Sequence, residues 1–361
     1  MGAAVDLLSD EWPACIVPSG PVPRELANSV RARMGAVPGW LPRVAPCPWL
    51  VDTMVTLIGK PVAALPPDLV DRIDLVVSQD NSCRYCYGVQ RAVLRIRGYT
   101  DADIERLVRD AQTGDGVPAE RAAIDFARRL SRADPRPGPA EFERLLASGL
   151  ERLAAIEVAC AAATGNFANR VATLLALPTE SLEKFVRHPL FRVIRPLMSW
   201  RMRPRLRPRE PLPDPNTGFG ARVVAALDGS PAAGVLRRTI DAALGSPILP
   251  ARTKVLVIAV VARALGCREG ERDTRTLLAR EGFAAADMDQ ILDTLASPKL
   301  DAREARLVPF ARETVRYQPA TIQLRMRDVC RDLGPAETLE VAGILALANA
   351  ICRLSVVLDA C

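Results

Sequence analysis

The stretch that decides the fold is Ser78-Gln-Asp-Asn-Ser-Cys-Arg-Tyr-Cys-Tyr-Gly-Val-Gln90, which contains the only Cys-x-x-Cys of the chain, Cys83 and Cys86. It separates two segments whose apolar residues recur at helical spacing, and this pattern predicts two amphipathic helices. Gly98 supplies a stop for the second helix. We expect Ser82 to be the N-cap of that helix, with Cys83 as its first residue and Cys86 one turn further on the same face.

Cysteines at a helix N-terminus favour redox chemistry. Free backbone N–H groups and the positive end of the helix dipole stabilise a thiolate, and thiols at i and i+3 are close enough to form a disulfide. From local features alone, two other interpretations stay open: a pair of buried cysteines packed as small hydrophobic residues, and half of a zinc site. The zinc interpretation lacks ligands, because the chain has one His and no second close pair of cysteines.

A longer motif surrounds the pair, and its members are Ser78, Asn81, Cys83, Tyr85 and Cys86. It resembles the active-site segment of the carboxymuconolactone decarboxylase/alkylhydroperoxidase D (AhpD-like) superfamily, and residues 120–130 and 165–170 are similar to later helices of that family. The resemblance implies an all-α, AhpD-like helical bundle. It also implies a thiol-dependent peroxidase of the peroxiredoxin type that needs no cofactor or metal. Its substrate would be a hydroperoxide, and its reductant an external dithiol that is lipoyl- or thioredoxin-like.

The resemblance also assigns roles to residues of this chain. Cys86 would attack the hydroperoxide and Cys83 would resolve the sulfenic acid, whereas the helix-dipole argument favours the reverse order. Asp71, twelve residues before Cys83, would be the proton acceptor at a position where the family usually has Glu. Gln90 replaces the His of the peroxidase branch, and an amide orients a thiolate but takes up no proton. Tyr85 would either supply a hydroxyl beside the thiols or pack against them.

The second half of the chain repeats the first. One constant offset relates 97–103 to 281–287, 126–128 to 310–312, and Cys83 to Cys267. Self-similarity at a fixed offset predicts an internal duplication, here of the AhpD-like bundle. The chemistry is not duplicated: Asp71 aligns with Val255, Cys86 with Gly270 and Gln90 with Thr274. We therefore expect a degenerate second copy that packs on the first as an intrachain pseudo-dimer, or a chain that forms oligomers.

Charge and proline content divide the chain. The formal net charge is +6, yet eight arginines and no acidic residue lie between 187 and 209. The predicted domains are 1–186 with the Cys-x-x-Cys, a Pro/Arg-rich extended linker at 187–218, and a degenerate repeat at 219–361. Apolar residues among these arginines suggest contact with a membrane surface through 187–209, or else a connecting helix with snorkelling arginines. No nucleic-acid-binding motif accompanies the charge, and nucleic-acid binding is not expected.

Cysteine content and the N-terminal sequence indicate in which cellular compartment the protein resides. Nine mostly isolated cysteines and an N-terminus without a signal-peptide pattern predict a cytoplasmic protein. The apolar runs 255–265 and 341–351 are shorter than a membrane span, so we expect buried core helices. Residues 1 to about 50 are rich in Pro and Gly, which predicts an irregular arm. A non-catalytic scaffold or binding protein that retains the fold is the alternative to a peroxidase.

Overall fold

The fold is all-α, as predicted. The computed structural model describes residues 7, 13–57, 61–109, 117–132, 135–186, 188, 191–201 and 218–360, and these ranges contain helices but no β-strand. The helices of the first half are α1 Arg24–Met34, α2 Leu41–Val44, α3 Pro48–Leu57, α4 Pro67–Asp80, α5 Arg84–Arg97, α6 Asp101–Arg109, α7 Pro118–Arg132, α8 Pro139–Ala147, α9 Arg152–Leu175, α10 Ser181–Phe185 and α11 Phe191–Arg201. Those of the second half are α12 Ala221–Ala226, α13 Ala232–Gly245, α14 Ala251–Leu265, α15 Arg268–Arg280, α16 Ala285–Thr294, α17 Ala302–Glu313, α18 Pro319–Val329 and α19 Pro335–Val357.

The N-terminal arm is more regular than expected. The described part of it contains α1 and α2, so the prediction of an irregular arm is wrong there, while residues 1–6 and 8–12 lie outside the description. Val30 and Leu41 are buried in the main core, and this burial stabilises two short helices that local composition disfavours. Gly35 ends α1 in the left-handed conformation that glycine adopts without strain.

The hairpin of α4 and α5 carries the cysteines. Pro66 precedes α4 and Gly98, at φ +108°, ends α5, as the sequence predicts. The N-cap of α5 is one residue later than expected: Ser82 has φ +50°, and Cys83 is the cap. The extended Cys83 backbone lets its own side chain accept the N–H of the first turn, as N-cap side chains do.

The two halves have the same order of helices. Helices α4 to α7 begin at residues 67, 84, 101 and 118, and α14 to α17 begin at 251, 268, 285 and 302, with the same spacing from one helix to the next. Two glutamates also make similar contacts in the two halves. Glu157 accepts hydrogen bonds from the backbone N–H groups of residues 63–65, just before α4, and Glu340 accepts one from the N–H of Leu249, just before α14. These correspondences support the predicted duplication.

The long helices α9 and α19 pack against each other at the centre of the molecule. Both carry a fully buried arginine, Arg170 and Arg353, that donates to backbone carbonyl oxygens of the other half, Thr314 and Leu130 among them. Because α9 belongs to the first half and α19 to the second, the main apolar core of the described residues runs through both halves.

The first part of the predicted linker, 187–218, is helical over α11. Phe191 is buried beside Ala92 and Ile96 of α5, while Val193, on the outer face, is 78% exposed. The structure thus agrees with the connecting helix that the sequence offers for the apolar residues among the arginines, because the apolar face of α11 packs against α5. Residues 202–217, with the remaining arginines of the basic segment, lie outside the described residues.

One described helix, α19, has the length and apolar composition of a membrane span. It extends beyond the apolar run 341–351 at both ends, so the expectation that this run is too short to cross a membrane does not hold for the whole helix. Its most apolar 18-residue window is 94% buried within the protein. A core helix of a folded domain passes the same test of length and composition.

Candidate active site

Cys83 and Cys86 lie at the first turn of α5, both as free thiols. Sγ of Cys83 accepts a hydrogen bond from the backbone N–H of Cys86, with N and S 3.3 Å apart. The backbone N–H of Cys83 donates in turn to the carbonyl oxygen of Ser78, at 2.9 Å, which fixes the turn between α4 and α5. Cys83 is 1% exposed and Cys86 is 8% exposed, so the second sulfur lies nearer to solvent.

The two thiols differ in acidity. Burial opposes ionisation of Cys83 and by itself would raise its pKa. The pKa is nevertheless lowered, because the Cys83 sulfur receives hydrogen bonds from the thiol and the N–H of Cys86 and lies close to Thr173 and to the Tyr85 N–H. Burial, the hydrogen bond to Cys83 and the charge of Cys83 raise the pKa of Cys86 far above its usual range. The negative charge of the reduced pair therefore belongs on Cys83, which is the opposite of the order that the resemblance implies.

Asp74 is the acidic residue whose charge acts on the pair. Burial and Cys83 are the larger causes of the raised pKa of Cys86, and the carboxylate of Asp74 raises it further. The same carboxylate accepts a hydrogen bond from Nε2 of Gln90 at 3.4 Å. Oε1 of Gln90 is buried without a partner. Sequence reasoning missed Asp74, although its spacing contained a signal: Asp71, Asp74 and Ser78 recur at i, i+3 and i+7 on one buried face of α4.

Asp71, the acid that the resemblance assigns to the site, is buried and forms an ion pair with Nε of Arg97, at the far end of α5. A guanidinium next to a carboxylate stabilises its charged form. This ion pair ties the start of α4 to the end of α5. The structure thus gives Asp71 a clear role in holding the hairpin together.

Tyr85 donates its hydroxyl to Oε1 of Glu180 at 2.8 Å, and Glu180 also accepts the backbone N–H of Gly39. Burial, the charge of Glu180 and this hydrogen bond raise the pKa of Tyr85, and the charges of the two cysteines add to the shift. Arg84 and Glu183 form a buried ion pair one turn away. Through these contacts the segment that contains α10 is fastened over the N-terminal turn of α5.

Helix α9 supports the dithiol from the other side. Nδ2 of Asn81, on the turn before Cys83, donates to Oδ1 of Asn166 at 3.2 Å. Oδ1 of Asn166 also accepts Nη1 of Arg170 at 2.8 Å. Asn81 donates as well to the carbonyl oxygen of Val77, as expected for a residue at a helix end. The turn that presents the cysteines is therefore held by buried, charge-assisted hydrogen bonds.

The equivalent position in the second half keeps a cysteine N-cap and has a glycine where the first half has Cys86. Cys267 is the N-cap of α15, and its Sγ accepts the backbone N–H of Gly270 at 3.4 Å. A side-chain cap is therefore present at a helix start for which the sequence, Leu265-Gly-Cys267, suggests none. Gly270 stands where Cys86 stands in the first half, so no second thiol follows at i+3. Within the described residues, no group of three or more His, Cys, Asp or Glu side chains is placed to hold a metal ion.

The fold and the site together define an all-α protein with a Cys-x-x-Cys at a helix N-terminus. Residues 49–129, which include the cysteine pair, match the model of the Carboxymuconolactone decarboxylase family. The chain therefore contains a domain of the carboxymuconolactone decarboxylase/AhpD-like superfamily, and the matched range ends before α9 and the whole second half.

Solved structures also resemble this chain. One is the crystal structure of an alkylhydroperoxidase AhpD core, an uncharacterized peroxidase-related protein from Ralstonia eutropha JMP134, with 22% identity and a TM-score of 0.43; the match covers 50% of this chain and 100% of that one. Another is an uncharacterized peroxidase-related protein from Silicibacter sp. TM1040, with 23% identity, a TM-score of 0.40 and coverage of 49% and 91%. No curated protein matches the sequence significantly.

Proposed function

We propose that this protein is a thiol-dependent peroxidase whose Cys83 and Cys86 cycle between a dithiol and a disulfide. The observation that carries the proposal is the N-cap geometry of Cys83, whose Sγ accepts the N–H of Cys86. A thiolate is the nucleophile in such chemistry, and a helix N-terminus stabilises it. A second thiol three residues later is always within reach of the oxidised sulfur.

In the oxidative step, the Cys83 thiolate attacks the terminal oxygen of a hydroperoxide. A sulfur–oxygen bond forms, the oxygen–oxygen bond breaks, and the alkoxide that leaves takes up a proton to become the alcohol. The Cys86 thiol then loses its proton, and the resulting thiolate attacks the sulfur of the Cys83 sulfenic acid. The disulfide forms, and the hydroxide that leaves is protonated to water. Asp74 lies beside Cys86 and Gln90 and is the group that accepts the Cys86 proton.

In the reductive step, an external dithiol of the lipoyl or thioredoxin type attacks Cys86, the more exposed of the two sulfurs. Cys83 then leaves as the thiolate. Thiol–disulfide exchange is faster when the leaving thiol has the lower pKa, and the pKa of Cys83 is the lowered one. The second thiol of the reductant closes its own disulfide and releases Cys86.

We also propose that 1–186 and 219–361 are two copies of one ancestral unit and that their contact through α9 and α19 is an internal pseudo-dimer. The constant offset between equivalent helix starts and the paired roles of Glu157 and Glu340 support this proposal. In this arrangement the second copy serves as a structural partner for the catalytic one.

A non-catalytic scaffold is the second candidate, and Gln90 is the observation that favours it. Gln90 bonds to Asp74 through its amide nitrogen, while its amide oxygen has no partner. An amide in this place transfers no proton, so a family proton relay through this residue is lost.

A thiol count decides between the two candidates. Native wild-type protein is titrated before and after one equivalent of hydrogen peroxide, with Cys83→Ser and Cys86→Ser in parallel. The peroxidase loses two reactive thiols per chain, and an added dithiol restores them. A scaffold keeps all its thiols. Burial raises the pKa of Cys47 and of Cys330 to about 12, and Cys15, which is more exposed, is replaced by serine in every variant so that it does not enter the count.

A further inference from the structure

Unpartnered polar atoms gather around one turn of α9. They are both amide atoms of Asn169, Oγ1 of Thr173, the hydroxyl of Tyr317 and Oε1 of Gln323. Asn169, Thr173 and Gln323 are each at most 1% exposed. Buried polar atoms in native proteins almost always have hydrogen-bond partners. Five such atoms in one place indicate a site that a small polar molecule completes.

This turn of α9 faces the cysteine pair. Asn166, Asn169 and Thr173 share one face of the helix because they are three and four residues apart. Asn166 accepts the hydrogen bond of Asn81 from the turn that leads into α5. The hydroxyl of Thr173 lies beside Sγ of Cys83 and beside the Tyr317 hydroxyl, without completing a well-aligned hydrogen bond to either. The hydroxyl groups of Thr173 and Tyr317 therefore lie near the sulfur that carries the negative charge.

The second half of the chain supplies the opposite wall. Arg170 donates to the carbonyl oxygens of Thr314 and Val315, and its guanidinium carbon lies 5.5 Å from the centre of the Tyr317 ring. Nε2 of Gln323 donates to the carbonyl oxygen of Thr173 at 3.0 Å. The segment 314–323, between α17 and the first turns of α18, is thus fixed on α9 next to the dithiol.

The donors and acceptors of this cluster match a hydroperoxy group. Burial raises the pKa of Tyr317 to about 12 in spite of the Arg170 charge, so its hydroxyl stays protonated and donates. Asn169 both donates and accepts, and Oε1 of Gln323 only accepts. A hydroperoxy group offers two acceptor oxygens and one O–H donor, which this set satisfies.

We infer that Asn169, Thr173, Tyr317 and Gln323 form the subsite that binds the hydroperoxy group, and that Tyr317 donates a hydrogen bond to the leaving oxygen. The inference rests on the proposed peroxidase function and deepens it. When Cys83 attacks the terminal oxygen, the electron pair of the broken bond stays on the inner oxygen, which Tyr317 stabilises until it is protonated. A buried subsite of this kind favours hydrogen peroxide and small hydroperoxides over bulky lipid hydroperoxides.

The test compares single-turnover oxidation by hydrogen peroxide in wild type, Tyr317→Phe and a matched control, Tyr99→Phe. The Tyr99 hydroxyl bonds to Asp68 at the other end of the α4–α5 hairpin. Removing one donor to a developing oxyanion typically costs roughly 10²-fold in rate, and we expect a loss of that order for Tyr317→Phe only. Alkylation of Cys83 by iodoacetamide, which has no oxyanion to stabilise, stays at the wild-type rate in both variants.

Three other outcomes overturn the inference. Oxidation of Tyr317→Phe at the wild-type rate, with Cys83→Ser inactive, refutes the subsite and leaves the peroxidase function standing. A wild-type protein that hydrogen peroxide does not oxidise refutes both. If Tyr317→Phe loses its helical circular dichroism, Asn169→Leu replaces it in the same comparison, and wild-type oxidation of that variant refutes the subsite.

Discussion

Arg170 and Arg353 converge on one acceptor: Nη2 of each lies 3.1 Å from the carbonyl oxygen of Val315. One arginine comes from each half of the chain, and the two follow equivalent asparagines, Asn166 and Asn349, at the same i+4 spacing. Burial lowers the pKa of both guanidinium groups, and the charge of Arg170 further lowers that of Arg353. Two like charges at a buried carbonyl are tolerated because each also bonds to another backbone oxygen of the opposite half. This pair fastens the second half to the helix behind the dithiol.

The first prediction concerns which sulfur attacks. In Cys86→Ser, one equivalent of hydrogen peroxide should leave a stable sulfenic acid on Cys83, since the resolving thiol is gone. Trapping with dimedone and peptide mass spectrometry locates the adduct. In Cys83→Ser, burial and the charge of Asp74 still raise the pKa of Cys86, which predicts little adduct. A strong adduct on Cys86 and none on Cys83 restores the order implied by the family resemblance.

The second prediction concerns pH. Because the pKa of Cys83 is lowered, its alkylation by iodoacetamide should rise with pH and reach half its maximum at a lower pH than that of a cysteine in an unstructured peptide. Cys86→Ala removes a hydrogen-bond donor to the thiolate, so the midpoint moves to higher pH. Cys86→Ser keeps a donor and shifts less. A wild-type midpoint at or above the ordinary value contradicts the assignment of the charge to Cys83.

The third prediction concerns Gln90. The natural protein should be a slow peroxidase, and Gln90→His should accelerate it, since an imidazole in this place lies within reach of Asp74 and restores a proton relay. General acid–base catalysis contributes roughly 10²–10⁴-fold, so the gain is measurable as peroxide consumption with a dithiol reductant. Gln90→Ala should cost a few-fold, because one hydrogen bond is lost.

Asp74 provides the control for this gain. Asp74→Asn alone lowers the rate because Asp74 accepts the Cys86 proton, and in that background, where the imidazole has no carboxylate partner, Gln90→His should give little acceleration. If Gln90→His gives the same rate as wild type, the relay does not limit the proposed peroxidase reaction.

The fourth prediction is that Cys267 is inert. It is buried at 1% exposure and has Gly270 in place of a second thiol. Iodoacetamide treatment of the native protein, followed by peptide mapping, should label Cys83 well before Cys267. Equal labelling of both would show that the N-cap position is sufficient for reactivity and that the neighbouring Cys86 is not required.

The fifth prediction tests the contact between the halves. A Cβ added to Gly343 in α19 would lie 2.7 Å from the Trp49 ring, so Gly343→Ala should lower the free energy of unfolding by about 1–3 kcal/mol. Gly245 ends α13 with no atom near its added Cβ, and Gly245→Ala should be neutral or slightly stabilising. Urea denaturation measures both. Equal stability of the two variants would mean that Trp49 does not pack on α19 in solution.

The sequence by itself determined the α4–α5 hairpin and the position of the cysteine pair, and its resemblance to the AhpD-like superfamily implied the all-α class. The hairpin depends on local rules: apolar spacing set its two helices, and Pro66 and Gly98 lie at their limits. Local rules also act just beyond it, where Thr100 and Asp103 exchange the hydrogen bonds of a capping box at the start of α6. The shift of the N-cap from Ser82 to Cys83 is a difference of one residue, which local rules resolve poorly.

Only the tertiary structure decided the surroundings of the dithiol. Asp74 and Gln90 meet across two helices, Thr173 reaches Cys83 from α9, and Tyr317 comes from a segment more than two hundred residues away. The acidity of a buried thiol depends on burial and on hydrogen bonds from such neighbours, and their placement follows from helix packing. Helical spacing fixes which residues share a face of one helix. Which faces meet is decided by packing across the whole core.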